Sequence, residues 1–249
     1  MRWLLIIYLL YALALLVALS GKAPRRKTAK TVSRGWGNRL KILVVGASGG
    51  TGRELVRQAL ELGHDVTALV RKPKKFDLKH PHLQVIQGNV LDYSAVEAAV
   101  RHQQAVVCAL GHKRWFYPNR IVSEGTHNIL RAMQSHNVPR FICETSLGIG
   151  NSIGRLGLLY TFVVIPLILP FVFADKLRQE QRIQESDVDW VIVRPAVLNN
   201  SAPRGRYRHA HNLGNFIWTK RIARADVADF MLKQLTDDTY IGSAAAVCW

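Results

Sequence analysis

An α/β fold, one doubly wound parallel sheet preceded by an N-terminal transmembrane helix, is predicted by three features of this sequence. Residues 3–19, WLLIIYLLYALALLVAL, form an uncharged apolar run. Residues 40–45 form a β-branched stretch that enters a glycine-rich turn and then an amphipathic helix, and strand and helix patterns alternate from there to Trp249. Composition agrees, because 49% of the 249 residues are hydrophobic, which excludes a disordered chain. Lys and Arg number 34 against 17 Asp and Glu, and the net charge of +17 implies attraction to anionic lipid, nucleic acid or a phosphorylated cofactor. Cys108, Cys143 and Cys248 stand far apart with no CxxC pair, so neither a disulfide framework nor a metal site is expected.

The apolar run comes first. At ~1.5 Å per residue its seventeen residues nearly cross a hydrocarbon core of ~30 Å, so it reads as a membrane helix or a signal peptide. Ala18, Leu19 and Ser20 offer small residues to a signal peptidase. Charge favours the membrane helix: only Arg2 precedes the run, whereas Lys22, Arg25, Arg26, Lys27, Lys30, Arg34, Arg39 and Lys41 follow it, and the first acid is Glu54. Positive charge stays inside, so residues 1–21 are expected to be an uncleaved single-pass anchor with the following domain in the cytoplasm. Residues 22–39 read as a basic linker, solvated or held against anionic headgroups at ~1 kcal/mol per basic residue. The lipid bilayer is thus an expected partner.

Residues 40–249 then read as one Rossmann-type nucleotide-binding domain. The strand at 40–45 ends at GASGGTG, residues 46–52, and RELVRQALELGH continues as a helix. Of Gly46, Gly49 and Gly52, one makes the tight turn, one lets backbone amides approach a pyrophosphate, and one lets the helix pack close to the strand. Ser48, Gly50 and Thr51 complete the loop. A second strand, 65–70, ends where an NAD site presents a carboxylate to the adenosine ribose. Here the chain runs Val70, Arg71, Lys72, Pro73, Lys74, Lys75 with no acid. Arg71 and Lys72 suit a 2′-phosphate, so the expected cofactor is NADP, as NADPH, rather than NAD. Lys74, Lys75 and Lys79 read as solvated loop.

Alternation carries the sheet onward: strand 83–86, helix 95–102, strand 105–110, helix 122–136, strand 140–143, strand 190–193 before Pro195, helix 226–235 and strand 244–248. Strands separated by helices require a parallel sheet covered on both faces. Neither an internal repeat nor a second domain is visible in residues 40–249.

With GASGGTG at 46–52, LVRKP at 69–73, QGNVLD at 87–92, ALG at 109–111, SEGTHNIL at 123–130, ETS at 144–146, DWVIVRPA at 189–196 and RADVADFML at 224–232, the chain resembles the atypical short-chain dehydrogenase/reductases, close to the NmrA-like and biliverdin/flavin reductase B groups. The resemblance implies that Asn89 and Val90 lie beside the adenine, that Ala109, Leu110 and Gly111 line the cofactor ribose, and that Thr145 and Ser146 approach the nicotinamide, with Pro195 also at the cofactor. Asn89 replaces the commoner Asp and keeps a hydrogen-bonding side chain. The better-known short-chain enzymes place a lysine four residues after a tyrosine, lowering its pKa so that it passes a proton to the carbonyl oxygen. Tyr160 has Val164 at that spacing and Lys176 has Val172, so the pair is missing. Ser146 and Lys176 are the candidate catalytic residues, with Lys176 either touching the cofactor ribose or standing as a surface helix lysine.

The function expected from these readings is a membrane-anchored, NADPH-dependent oxidoreductase acting on a small lipophilic acceptor, a quinone or a carbonyl compound. The competing class is an NADPH-sensing regulator or assembly factor without chemistry. His112, just after the fourth strand, is the one histidine expected near the acceptor. His209 and His211 belong to a basic loop, 204–224, open to an acidic substrate, the membrane surface or solvent, and no nucleic-acid motif accompanies it. Nucleic acid is therefore not an expected partner. Residues 156–173, LGLLYTFVVIPLILPFVF, are eighteen uncharged residues that hydropathy alone would read as a second membrane span. The strands before and after them must share one sheet, and Pro166 and Pro170 interrupt a straight helix. The segment is expected in the domain core, in the interface of a homo-oligomer, or in the membrane interface beside the acceptor pocket.

Overall fold

The computed structural model describes residues 2–24, 39–113 and 116–249, so residues 25–38 of the expected basic linker lie outside the described residues. In chain order the elements are α1 (Arg2–Leu19), β1 (Lys41–Val45), α2 (Gly50–Glu61), β2 (Asp65–Val70), β3 (Leu83–Gln87), α3 (Tyr93–Val100), β4 (Ala105–Cys108), α4 (Ile121–Ser135) and β5 (Arg140–Glu144). A π-helical turn, Tyr160–Val164, leads into α5 (Ile165–Leu167) and α6 (Pro170–Gln184). The chain then forms β6 (Asp189–Pro195), β7 (Val197–Asn199), β8 (Arg208–Ala210), β9 (Arg221–Ala223), α7 (Arg224–Lys233) and β10 (Ser243–Cys248).

Eight strands make one sheet in the order β3-β2-β1-β4-β5-β6-β10-β8, parallel except for β8, which runs antiparallel to β10. β7 and β9 pair separately. Central strands such as KILVV are apolar on both faces because both are covered: Ile42 and Val44 join one core cluster, Leu43 and Val45 the other. α2 and α7 pack together in the first cluster, while α3 and α4 close the second and α6 packs along α4. β1 lies between β2 and β4, with Val45 opposite Leu69 on one side and Cys108 on the other. The strand order reverses there, and the reversal opens a crevice at the carboxyl ends of the strands.

Several elements differ from the sequence reading. α3 starts earlier because Asp92 caps it, its Oδ1 accepting from the Ser94 amide at 3.0 Å. α6 has no counterpart in that reading: the apolar run hid a helix whose first residue is Pro170, a position that needs no amide donor. β7, β8 and β9 are three residues each, too short and too polar for an alternation pattern to register.

No single helix among the described residues is long and apolar enough to cross a membrane. The apolar run at 156–173 is not one helix but a bent pair, with Tyr160–Leu167 at 97° to α6. Its inner side, Leu156, Thr161, Ile165 and Phe173, is buried in the domain, whereas Leu158, Leu159, Phe162, Val163, Leu167 and Phe171 are exposed. α1 lies against this segment. The Tyr8 hydroxyl donates to the Phe162 carbonyl and the Tyr11 hydroxyl to the Pro166 carbonyl at 3.1 Å, while Ala12 and Leu19 are buried.

Candidate functional site

A cavity of about 500 Å³ runs along the crevice from the glycine loop to the apolar segment. Its first end is shaped by backbone. Gly46 adopts a φ of +84°, and a Cβ there would stand 2.4 Å from the Ala109 carbonyl oxygen. The Gly49 amide donates to the Gly46 carbonyl at 2.8 Å and closes the turn. α2 then begins with no side-chain cap and no acid in its first turn, so its amides and its positive dipole end are left for an anion. Such an end suits a pyrophosphate.

Most residues singled out by sequence meet in this one cavity: Gly46, Ser48, Gly49, Gly50, Thr51, Arg71, Val90, Ala109, Leu110, Gly111, Thr145, Ser146, Lys176 and Pro195 all line it. Gly52, Lys72 and Asn89 do not, and each has a local reason. A Cβ on Gly52 would lie 2.1 Å from the Gly46 carbonyl oxygen, so this glycine serves helix-to-strand packing. Lys72 is exposed, one residue before a short 3₁₀ turn at Pro73–Lys75. The Asn89 side chain turns back on its own backbone, accepting from the Leu91 amide at 3.3 Å.

Beneath the loop sits a charged group that the sequence reading passed over. Glu144, the last residue of β5, is buried, and its Oε1 accepts from the Thr51 hydroxyl at 3.2 Å. Burial pushes the Glu144 carboxyl up, against the opposing pull of Lys176, of the Thr51 hydrogen bond and of Arg224. Lys176 is half-buried, its Nζ donating to the Glu144 carbonyl at 3.5 Å, so it is not a surface helix lysine. Arg224 was also missed. Its side chain crosses Gly50 so closely that a Cβ there would meet Cδ at 2.5 Å, and its Nη1 donates to Asn200 Oδ1 at 2.6 Å. The opening arginine of RADVADF was the one signal for it. Ser146 lines the cavity with its hydroxyl donating to the Leu147 carbonyl at 3.0 Å.

The far end is built by side chains. Leu156, Tyr160, Leu169, Val172 and Phe173 come from the bent segment, Ala196 follows β6, and Val197 and Leu198 belong to β7. A buried ion pair holds this end to the sheet: Arg194 of β6 donates to Glu180 of α6 through Nε at 2.8 Å and Nη2 at 2.5 Å. Arg194 Nη1 also donates to Asn151 Oδ1 at 2.6 Å, and the Thr145 hydroxyl donates to Glu180 Oε1 at 2.7 Å. One network thus fixes both the cavity floor and the loop that precedes the apolar segment.

His112 lines the cavity immediately after Gly111, with its Nε2 2.9 Å from Asp175 Oδ2. Sequence placed the histidine but not the acid, which stands 63 positions away on a helix that the apolar run concealed. His209 and His211 do other work: one meets the Tyr240 hydroxyl at 2.9 Å and the other the Ala244 carbonyl at 3.1 Å, tying edge strand β8 to the sheet. Cys108, Cys143 and Cys248 are buried and free.

A family model described as NAD(P)H-binding matches residues 46–238. An uncharacterized chloroplast protein of Arabidopsis thaliana is 31% identical over 175 residues, 66% of this chain and 61% of that protein. The photosystem II assembly factor Ycf39 of Synechocystis is 31% identical over 106 residues, 41% of this chain and 32% of that protein. The chain therefore spans less than two thirds of the length of either relative. Among solved structures, ChuY, an anaerobillin reductase from Escherichia coli O157:H7, matches with a TM-score of 0.71 at 22% identity, covering 84% of this chain and 96% of its own. A short-chain dehydrogenase/reductase from Veillonella parvula in complex with NADP matches with a TM-score of 0.68 at 20% identity, covering 84% and 94%. These structures share the fold.

Proposed function

The chain belongs to the NAD(P)H-binding family, and from that membership we propose that it is a membrane-anchored, NADPH-dependent oxidoreductase that reduces a small lipophilic acceptor, a quinone or a carbonyl compound. One observation carries the reading. A single cavity joins the glycine loop to an apolar wall, and that wall is the inner side of a segment whose outer side is exposed, apolar and packed beside α1. NADPH, when bound, supplies the hydride. In this reading the amides of Ser48 to Thr51 take the pyrophosphate, Arg71 at the end of β2 takes the 2′-phosphate, and Thr145, Ser146 and Lys176 border the reacting end.

The outer surface supports the membrane part. Trp3 and Leu4 of α1 are 77% and 71% exposed, Leu159 and Leu167 are each 59% exposed, and Phe216, Ile217 and Trp218 extend the patch. The last three abut the segment, since the Leu158 amide donates to the Ile217 carbonyl at 3.2 Å. Surfaces of this kind are rarely left to water. α1 by itself is too short to cross a membrane, so in this reading its exposed side and this patch lie together in the membrane interface. Basic residues after α1 favour a cytoplasmic domain, where an acceptor dissolved in the bilayer would enter through the apolar wall.

A second reading is an NADPH-binding assembly factor without turnover. It is favoured by the absence of a Tyr-x-x-x-Lys pair, Tyr160 being followed by Val164, and by the relative named as a photosystem II assembly factor. The deciding experiment mixes the full chain, in anionic liposomes, with NADPH and a panel of quinones and aldehydes. The oxidoreductase reading expects NADPH absorbance to fall with at least one of them. Tight NADPH binding with no oxidation by any acceptor would decide for the assembly factor.

A further inference from the structure

The turn that carries Phe216, Ile217 and Trp218 is fixed in place, yet it holds those side chains away from the core. Asn215 Oδ1 accepts from the Ile217 and Trp218 amides at 2.8 and 2.7 Å, and the Asn215 amide donates to the Arg155 carbonyl at 2.9 Å. The Thr219 hydroxyl donates to the Leu156 carbonyl at 2.9 Å. Both ends of the turn are thus pinned beside the bent segment, while Phe216, Ile217 and Trp218 remain 59%, 59% and 71% exposed. Large apolar side chains held out by a fixed backbone cost free energy in water unless something covers them.

Positive charge begins where the tip ends. Thr219, Lys220 and Arg221 line an open groove together with Asn199, Arg204 and Trp249. The Trp249 amide donates to the Arg221 carbonyl at 3.0 Å, and the Arg204 guanidinium carbon lies 3.8 Å from the centre of the Trp249 ring. Arg208 joins from β8: burial pushes the Cys248 thiol up, and Arg208 and Lys220 both pull against it. Arg204, Arg208, Lys220 and Arg221 are exposed, and none makes an ion pair with a carboxylate among the described residues. Cations gathered without a counter-charge repel one another, and an anion from outside relieves the repulsion. The groove also borders the cavity, because β7 places Val197 and Leu198 in the cavity wall and Asn199 in the groove.

An acidic soluble protein would meet these charges and leave the tip in water, and an apolar protein surface would cover the tip and leave the charges unpaired. An anionic bilayer satisfies both at once, with phosphates at headgroup level and hydrocarbon just beneath them for Phe216, Ile217 and Trp218. We infer that the groove formed by Arg204, Lys220, Arg221 and Trp249 binds the phosphate of an anionic phospholipid and so seats the 216–218 tip in the bilayer. Arg208 adds to the attraction from the neighbouring strand. The inference rests on the membrane part of the reading above and not on hydride transfer. It gives the protein a second, charge-selective attachment besides α1, and it turns the cavity wall at 196–198 toward the leaflet from which an acceptor would enter.

The test partitions the full chain onto liposomes of pure phosphatidylcholine and onto a phosphatidylcholine–phosphatidylglycerol mixture at the same ionic strength. Phosphatidylglycerol is expected to tighten binding of the natural protein. The triple variant Arg204→Gln, Lys220→Gln and Arg221→Gln is expected to lose about 10²-fold of that gain, at roughly fivefold per basic residue, with binding to pure phosphatidylcholine unchanged. As a control, Lys74→Gln, Lys75→Gln and Lys79→Gln remove the same charge from the exposed loop between β2 and β3, at the opposite end of the sheet from β8. That variant is expected to keep the gain. Equal losses in the two variants would show attraction by net charge alone, and no loss in either would leave the basic residues after α1 as the anionic contact; each overturns the inference. So does a gain abolished by inorganic phosphate at matched ionic strength, the mark of a site for free phosphate. Natural protein that binds neither kind of liposome would remove the membrane part of the reading and this inference together, whereas failure to oxidise NADPH would leave the inference standing.

Discussion

The glycine loop and the 156–173 segment reach the same cavity from opposite ends, the first with backbone and the second with side chains. At Gly52 a single methyl group would stand 2.1 Å from a carbonyl oxygen, and at Gly46 2.4 Å. No side chain fits at either glycine; the turn is contained in seven consecutive residues, and the Ala109 carbonyl that crowds Gly46 comes from the residue after β4. The acceptor end has no such lock. Its wall comes from a segment bent by 97° and held through Arg194, Glu180, Asn151 and Thr145, residues drawn from four different parts of the chain. A nucleotide common to the NAD(P)H-binding family would meet a rigid backbone mould. In the oxidoreductase reading, the acceptor would meet side chains that substitution alters without disturbing the sheet.

The largest effect expected from this contrast lies at Arg194. Replacing it by Met leaves Glu180, whose side chain is 1% exposed, without its counter-charge, at a cost of about 3–5 kcal/mol in chemical denaturation. Adding Glu180→Leu is expected to restore much of the loss, since a buried pair replaced as a unit is often close to neutral. If the two ends are built independently, the double variant keeps its NADPH affinity; a parallel fall in affinity would show that they are one structure.

A smaller effect isolates the nucleotide end. Arg71→Ala is expected to weaken NADPH by about 1.5–3 kcal/mol, the worth of a hydrogen bond to a charged group, and to leave NADH nearly unchanged in calorimetric titrations. Equal losses for the two nucleotides would mean that the 2′-phosphate lies elsewhere.

The smallest effect is also the one whose sign depends on pH. Because burial raises the Glu144 carboxyl, ionising it disfavours the folded state, and the penalty grows as pH rises from the unfolded carboxylate range near ~4.3 toward the folded value. Glu144→Gln retains an oxygen for the Thr51 hydroxyl. The variant is expected to melt at the same temperature as the natural protein near pH 4 and above it at pH 8. A variant less stable at pH 8 would show that Lys176 and Arg224 more than offset the burial.

How much could be read beforehand follows the same division. The order of strands and helices, the glycine loop and Arg71 were legible because each is written in neighbouring residues: a period, a turn, a charge at a strand end. Residues 156–173 were legible only as apolar. A run without charged positions carries no clear periodicity, so neither the bend before α6 nor the place of Leu169 and Phe173 in the cavity wall could be extracted from it. Asp175 and Glu180 were invisible for another reason. Their meaning comes from His112 and Arg194, and the chain brings those pairs together only after the sheet has formed. Glu144 was quoted in a motif and passed over, because its position under Thr51 depends on how β5 sits beside β4, which in turn pairs with β1.

The place of β10 sets a timetable for synthesis. Ser243–Cys248 inserts between β6 and β8, so one edge of β6 stays bare until those six residues have left the ribosome. From Asp189 to Ser243 is 243 − 189 = 54 residues, about 3 to 11 s of translation at ~5–20 residues per second. α1 emerges long before that edge is covered. During the interval an apolar strand edge, a template for wrong pairing, waits unfilled. Tyr8 and Tyr11 of α1 wait likewise, since their partners Phe162 and Pro166 are made 154 and 155 residues later.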